Sequence, residues 1–212
     1  EFHGEHLRQA YPAVAPGISH PLPEDAEKLI DERTRAIVLC SPNNPTGAIY
    51  PPEVIAAFFQ LARSRGIALV MDETYKDFRD SPAPAHPVFA TEGWEDGFIH
   101  LYSFSKAYAM TGYRVGSITA SAKVLAEVEK IIDCMSICPA HISQRAALFA
   151  LESLEMWKRE KIAMMHGRLD AFRAAFRRRG LAYELVSSGA LFAYVIVMRT
   201  RYVRAQLQNC DS

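Results

Sequence analysis

Lys106, Asp72, Tyr75 and Asn44 are the residues of this chain whose types and spacing could do covalent chemistry. Lys106 closes Leu-Tyr-Ser-Phe-Ser-Lys (101–106), and Arg114 follows it by eight residues. Asp72 and Tyr75 share Asp-Glu-Thr-Tyr (72–75), and Asn44 lies inside Ser-Pro-Asn-Asn-Pro-Thr-Gly (41–47). A lysine at the end of a buried strand is an expensive choice, because burying its charge costs several kcal/mol unless something uses it. One use is a Schiff base with a carbonyl cofactor, in which the amine is a covalent nucleophile. Pyridoxal 5′-phosphate (PLP) is such a cofactor. It also needs an acid at its ring nitrogen, a donor at its phenolic oxygen and an anion site for its phosphate.

Three short apolar runs must position these groups. Ala-Ile-Val-Leu-Cys (36–40), Ile-Ala-Leu-Val-Met (67–71) and Phe-Ile-His-Leu-Tyr (98–102) each end directly in one of the polar motifs. Continuous apolar runs without alternation predict strands buried on both faces, in a parallel sheet covered by helices. Ligands of such sheets bind at the carboxyl ends of the strands, and each run delivers its polar groups at that edge.

Ser-Pro-Asn-Asn-Pro-Thr-Gly, Asp-Glu-Thr-Tyr and Ser-Phe-Ser-Lys, with an arginine eight residues on, resemble the class I/II aminotransferases among the fold-type-I PLP-dependent enzymes. The resemblance is strong over residues 36–119 and continues more weakly to 197. It implies an α/β fold: the mostly parallel, three-layer sheet of the PLP-binding large domain over 1–165, and the start of a smaller α+β domain over 166–212. It implies that Lys106 forms the Schiff base and shuttles the substrate proton, and that Asp72 pairs with the pyridinium nitrogen. Tyr75 and Asn44 would reach the phenolic oxygen, with Asn44 also orienting the substrate carboxylate. Ser103, Ser105 and Arg114 would hold the phosphate, for which a guanidinium fork suits the dianion better than an ammonium does. The implied partners are an amino acid, a 2-oxo acid and a second copy of the chain in a homodimer.

Each residue also has a plainer reading. Asp72 could cap a helix after a strand, Asn44 could occupy a turn between prolines, Tyr75 could be a half-buried aromatic and Arg114 a surface charge. The motifs bind a cofactor without fixing which Cα bond breaks. A β-lyase, a decarboxylase or a regulatory module of the same fold therefore stands beside the transaminase. Family members are longer at both ends. They carry upstream a phosphate-cupping turn and a ring-stacking aromatic, and downstream an arginine for the substrate carboxylate. The residues before Asn44 and after Val197 do not follow that pattern, so the chain is expected to be a piece of a longer enzyme.

Lysine plus arginine equals aspartate plus glutamate at 24 each, which supplies no bulk field for nucleic acid or anionic lipid. No apolar run approaches the roughly 20 residues that span a bilayer, and no leader pattern opens the chain. His3-Gly-Glu-His6 has metal-like residue types, but no further ligand follows at a recognisable spacing, and no metal is expected. Cys40, Cys134, Cys138 and Cys210 form no Cys-x-x-Cys pair, and free thiols predict a reducing, cytoplasmic setting. Helices are expected over 24–30, from Pro52 to Gly66, and over 121–133, 141–154 and 154–179. A loop is expected over 76–97, and strands at 183–186 and 191–197.

Overall fold

The computed structural model describes residues 20–178 and 181–197. Expectations for His3–His6, Arg179, Gly180, Cys210 and the terminal segments lie outside them. Four strands, β1 (Ala36–Cys40), β2 (Ala68–Asp72), β3 (Phe98–Ser103) and β4 (Gly116–Thr119), form one sheet in that order. The first three are parallel, and β4 runs antiparallel to β3. The expected α/β sheet, mostly parallel, is the one found.

Register carries the site. Cys40 pairs with Asp72, and Asp72 with Leu101, so the three motif-bearing strands end together. The Ser41 N–H donates to the Asp72 carbonyl at 3.0 Å, and the Glu73 N–H to the Leu101 carbonyl at 2.9 Å, which extends the ladder one step past each strand.

Helix α2 (Pro52–Ser64) follows from its sequence. Pro52 needs no N–H donor in the first turn, and Glu53 favours the positive end of the helix dipole. Ile55, Phe58, Phe59 and Ala62 recur at helical spacing and are buried. The helix closes through Gly66, at φ +63°, with Ile67 N–H on the Ala62 carbonyl and Gly66 N–H on that of Arg63. Its apolar face packs on Leu39, Leu69, Met71 and Phe98. Burying each such side chain is worth about 1.5–3 kcal/mol.

The sequence predicted strands buried on both faces. Burial instead alternates: Leu69, Met71, Phe98 and His100 are covered, whereas Val38 on the opposite face is 64% exposed. The apolar runs are continuous, but within the described residues one face of β2 and β3 is covered, the other only in part, and β4 is exposed throughout.

Helices α1 (Pro23–Glu27), α3 (Ala122–Met135), α4 (His141–Ser153) and α5 (Glu155–Phe176) lie where helical patterns were expected, with ends shifted by at most three residues. Ser121 caps α3 by accepting the Val124 N–H at 3.2 Å. Cys138 lies beyond the end of α3, so it does not share a helical face with Cys134. The 76–97 segment contains three short 3₁₀ turns. Strands β5 (Tyr183–Gly189) and β6 (Phe192–Val197) form a separate antiparallel hairpin. The boundary expected at 165/166 falls inside α5.

A polar clasp ties α5 to the sheet. Lys158 Nζ donates to Asp77 Oδ1 at 3.1 Å and to the Tyr108 hydroxyl at 3.3 Å, and pairs with Glu155 at 2.9 Å. The Tyr102 hydroxyl donates to Asp77 Oδ2 at 2.7 Å. Burial works to lower the Lys158 pKa, but its bonds to Glu155 and Asp77 outweigh it and hold the ammonium above the ordinary lysine range. Burial, with Asp77 beside it, pushes the Tyr102 phenol well above its usual value. Among the described residues no helix is long and apolar enough to cross a membrane.

Candidate functional site

Alternation along β2 decides which carboxylate faces the site. Leu69, Met71 and Glu73 share the covered face, and Asp72 emerges on the other. Thr74 N–H donates to Asp72 Oδ1 at 3.0 Å, which fixes the carboxylate at the start of the turn that carries Tyr75.

Tyr75 is 8% exposed and packs edge-on to Phe192 of β6, at 4.8 Å between ring centroids and 80° between planes. The Asn44 side chain lies beside its hydroxyl. Burial raises the Tyr75 pKa, the Asn44 side chain opposes the rise, and Cys40 and Asp72 add to it. Those four groups therefore share one neighbourhood. Burial likewise pushes up the Cys40 thiol, with Asp72 adding to the shift and the Asn44 backbone opposing it.

The Asn44 loop is built from its own short-range bonds. Asn43 Oδ1 accepts the Thr46 hydroxyl at 2.8 Å, and Asn43 N–H and Gly47 N–H close the turn on the Ala48 and Asn43 carbonyls. The bonds preceding Pro42 and Pro45 are both cis.

Lys106 departs from expectation. Its residue is exposed, not buried, because the chain turns out of β3 at Ser103 and lifts it off the sheet. Its Nζ lies 5.9 Å from the centre of the Tyr75 ring. Ser103, Ser105 and Arg114 belong to the same excursion. The Ser105 N–H donates to Ser103 Oγ at 3.2 Å, Thr111 Oγ1 to the Ser105 carbonyl at 3.0 Å, and Arg114 Nη1 to the Thr111 carbonyl at 3.1 Å. Arg114 is exposed, with φ +51°.

All seven expected residues thus fall on the three loops at the carboxyl edge. Cys40 and Phe192 were not foreseen. Cys40 could have been found from its place at the end of a motif strand, whereas nothing in the sequence ties Phe192 to Tyr75. Among the described residues no group of three or more histidines, cysteines or carboxylates is arranged to hold a metal ion.

A family model for aminotransferase class I and II matches residues 10–209. The chain belongs to that family. It is 29% identical over 174 residues to an aspartate aminotransferase of Sulfurisphaera tokodaii, covering 82% of this chain and 43% of the relative. A histidinol-phosphate aminotransferase of Caldicellulosiruptor saccharolyticus is 32% identical, over 76% of this chain and 43% of its own length. Among solved structures, an aspartate aminotransferase of Thermus thermophilus with maleate superposes at TM-score 0.70 and 31% identity, covering 80% of this chain and 44% of that one. The chain spans less than half the length of these relatives. The family's members are PLP-dependent, in agreement with the motifs.

Proposed function

We propose that this protein is a PLP-dependent aminotransferase that moves an amino group between an amino acid and a 2-oxo acid. The observation that carries the reading is the meeting of Asn44, Tyr75 and Asp72 at one strand edge, with the Lys106 amine facing the Tyr75 ring. The donor set suits the cofactor: one carboxylate, a neighbouring phenol and amide, an exposed amine, and a turn of hydroxyls closed by a guanidinium.

When bound, PLP supplies an aldehyde that can take up an amine and a ring that can accept the electron pair left at the substrate Cα. Asp72 would accept the N–H of the protonated ring nitrogen and keep that proton in place. Tyr75 and Asn44 would donate to the phenolic oxygen, and Asn44 would also orient the substrate carboxylate. Ser103, Ser105 and Arg114 would hold the phosphate, with the guanidinium supplying charge-assisted donors. Lys106 Nζ would hold the cofactor at its aldehyde carbon, the aldehyde oxygen leaving as water, and as a free amine would move the proton at the substrate Cα.

The same reading divides the chain into a large cofactor-binding part to about residue 165 and a smaller part beyond it, joined along α5. It makes the protein a homodimer. The exposed Ile131, Met135, Ile142, Phe149 and Leu151 on α3 and α4 support that form. The free Cys40, Cys134 and Cys138 support a reducing, cytoplasmic setting.

Visible absorption of the chain mixed with PLP tests the reading, followed by borohydride trapping and peptide mapping. A yellow species trapped on Lys106 and lost in Lys106→Ala supports it. Label scattered over surface lysines, unchanged in Lys106→Ala, overturns it. Product analysis over a panel of amino acids then separates transfer of the amino group from lyase or decarboxylase chemistry.

A further inference from the structure

The β5–β6 hairpin reaches back to both loops that carry Asn44 and Tyr75. Ser187 Oγ donates to the Thr46 carbonyl across 141 residues of sequence. Gly47 and Gly189 meet backbone to backbone, so closely that a side-chain carbon on either would overlap the other. Phe192 stands edge-on to Tyr75, and Ala190 is buried in the same cluster. The hairpin is held in turn from α5, where Arg173 Nε donates to Ser188 Oγ at 2.8 Å and Nη2 to the Ser188 carbonyl at 3.1 Å.

These contacts land on Tyr75 and on the loop that carries Asn44. Phe192 supports the ring whose hydroxyl meets Asn44, while Ser187 and Gly189 support the loop that presents Asn44. We propose that the hairpin is a positioning element of the site, in which Phe192 sets Tyr75, and Ser187 with Gly189 sets the Asn44 loop, so that the approach of Asn44 to Tyr75 depends on the docked hairpin. The meaning of that approach for the cofactor's phenolic oxygen rests on the function proposed above. The positioning itself does not.

The two supports act on Tyr75 with opposite signs. Burial of the ring raises its titration, and the Asn44 side chain beside it lowers it. Phe192→Leu opens the ring to water and moves the Tyr75 titration down toward the ordinary tyrosine range. Ser187→Ala frees the Asn44 loop and moves it up. Phe192→Tyr, which keeps an aromatic edge, leaves it near the wild-type position.

The measurement is a pH titration of ¹³C-labelled tyrosine by NMR on the full chain without cofactor, with the Tyr75 signal identified by its loss in Tyr75→Phe. Opposite shifts in Phe192→Leu and Ser187→Ala, with rescue by Phe192→Tyr, are the expected result. PLP affinity then falls about three- to tenfold in the two disruptive variants. A wild-type titration in both, with the β5–β6 amide signals intact, overturns the proposal. If Phe192→Leu loses those amide signals, Ser187→Ala decides alone: an upward shift supports positioning, and no shift ends it. Failure of the wild-type chain to bind PLP sinks the cofactor assignment, while the titration still judges the hairpin.

Discussion

Asp72 and Glu73 are consecutive carboxylates with opposite surroundings. Asp72 faces the loop edge, takes one backbone N–H and shares its neighbourhood with Tyr75, Asn44 and Cys40. Glu73 is 2% exposed and lies between two buried imidazoles. His100 Nε2 is 2.9 Å from Glu73 Oε2, and His86 Nε2 is 3.5 Å from Oε1. His86 Nδ1 accepts the Val88 N–H at 3.2 Å, so the neutral ring carries its proton on Nε2, toward the carboxylate. That approach falls short of a hydrogen bond, and Glu73 Oε1 and His86 Nε2 have no partner among the described residues. One step along the chain thus separates a group at the loop edge from one buried in a cluster with His100 of β3 and His86 of the 76–97 segment.

The comparison breaks most readily at Glu73. Glu73→Ala leaves His100 buried without its hydrogen-bond partner and is expected to cost about 1–3 kcal/mol in urea unfolding. A loss below about 0.5 kcal/mol would show that the buried face is no clamp. Acid sharpens the same contrast. Burial lowers the His86 pKa, while Glu73 pulls it upward and His100, Lys76 and Arg79 push it down. With its folded pKa depressed, His86 contributes stability that is present in full above about pH 6.5 and is lost as pH falls through the folded value. Unfolding midpoints measured against pH should therefore drop on the acid side, with a slope from this group of at most about 1.4 kcal/mol per pH unit. His86→Phe should flatten that part of the curve.

Tyr102→Phe removes one buried bond to Asp77 while sparing the ring, for a loss of about 1 kcal/mol. Asp72→Asn is expected to shift stability by less than about 0.5 kcal/mol, although it removes the acceptor proposed for the cofactor nitrogen. A cost at Asp72 equal to that at Glu73, in the same unfolding measurement, would erase the distinction between the two.

The parallel strands and their polar ends were legible because each apolar run stops at a motif, and Asn44, Asp72, Tyr75, Lys106, Ser103, Ser105 and Arg114 all lie on the expected edge. Other features are tertiary and leave no local mark. Periodicity does not show that Val38 is left open, since a continuous apolar run has the same pattern whether one face is covered or two. The exposure of Lys106 depends on how the turn after Ser103 leaves the sheet. Phe192 meets Tyr75, and His86 meets Glu73, through loops whose paths are set by packing and not by propensity. The identity of Glu73 as a buried anchor could have been inferred from alternation through Leu69 and Met71.

Helix α5 is fastened toward its two ends by Lys158 to Asp77 and by Arg173 to Ser188, with His166 on the Phe78 carbonyl between them. At 1.5 Å per residue those two points stand about 22 Å apart. One inserted residue between them would swing Arg173 about 100° around the helix axis and off the hairpin. This stretch therefore has a set length and phase. Insertions and deletions belong in the exposed Ser81–Pro84 loop, where the chain can bulge without rotating a helix.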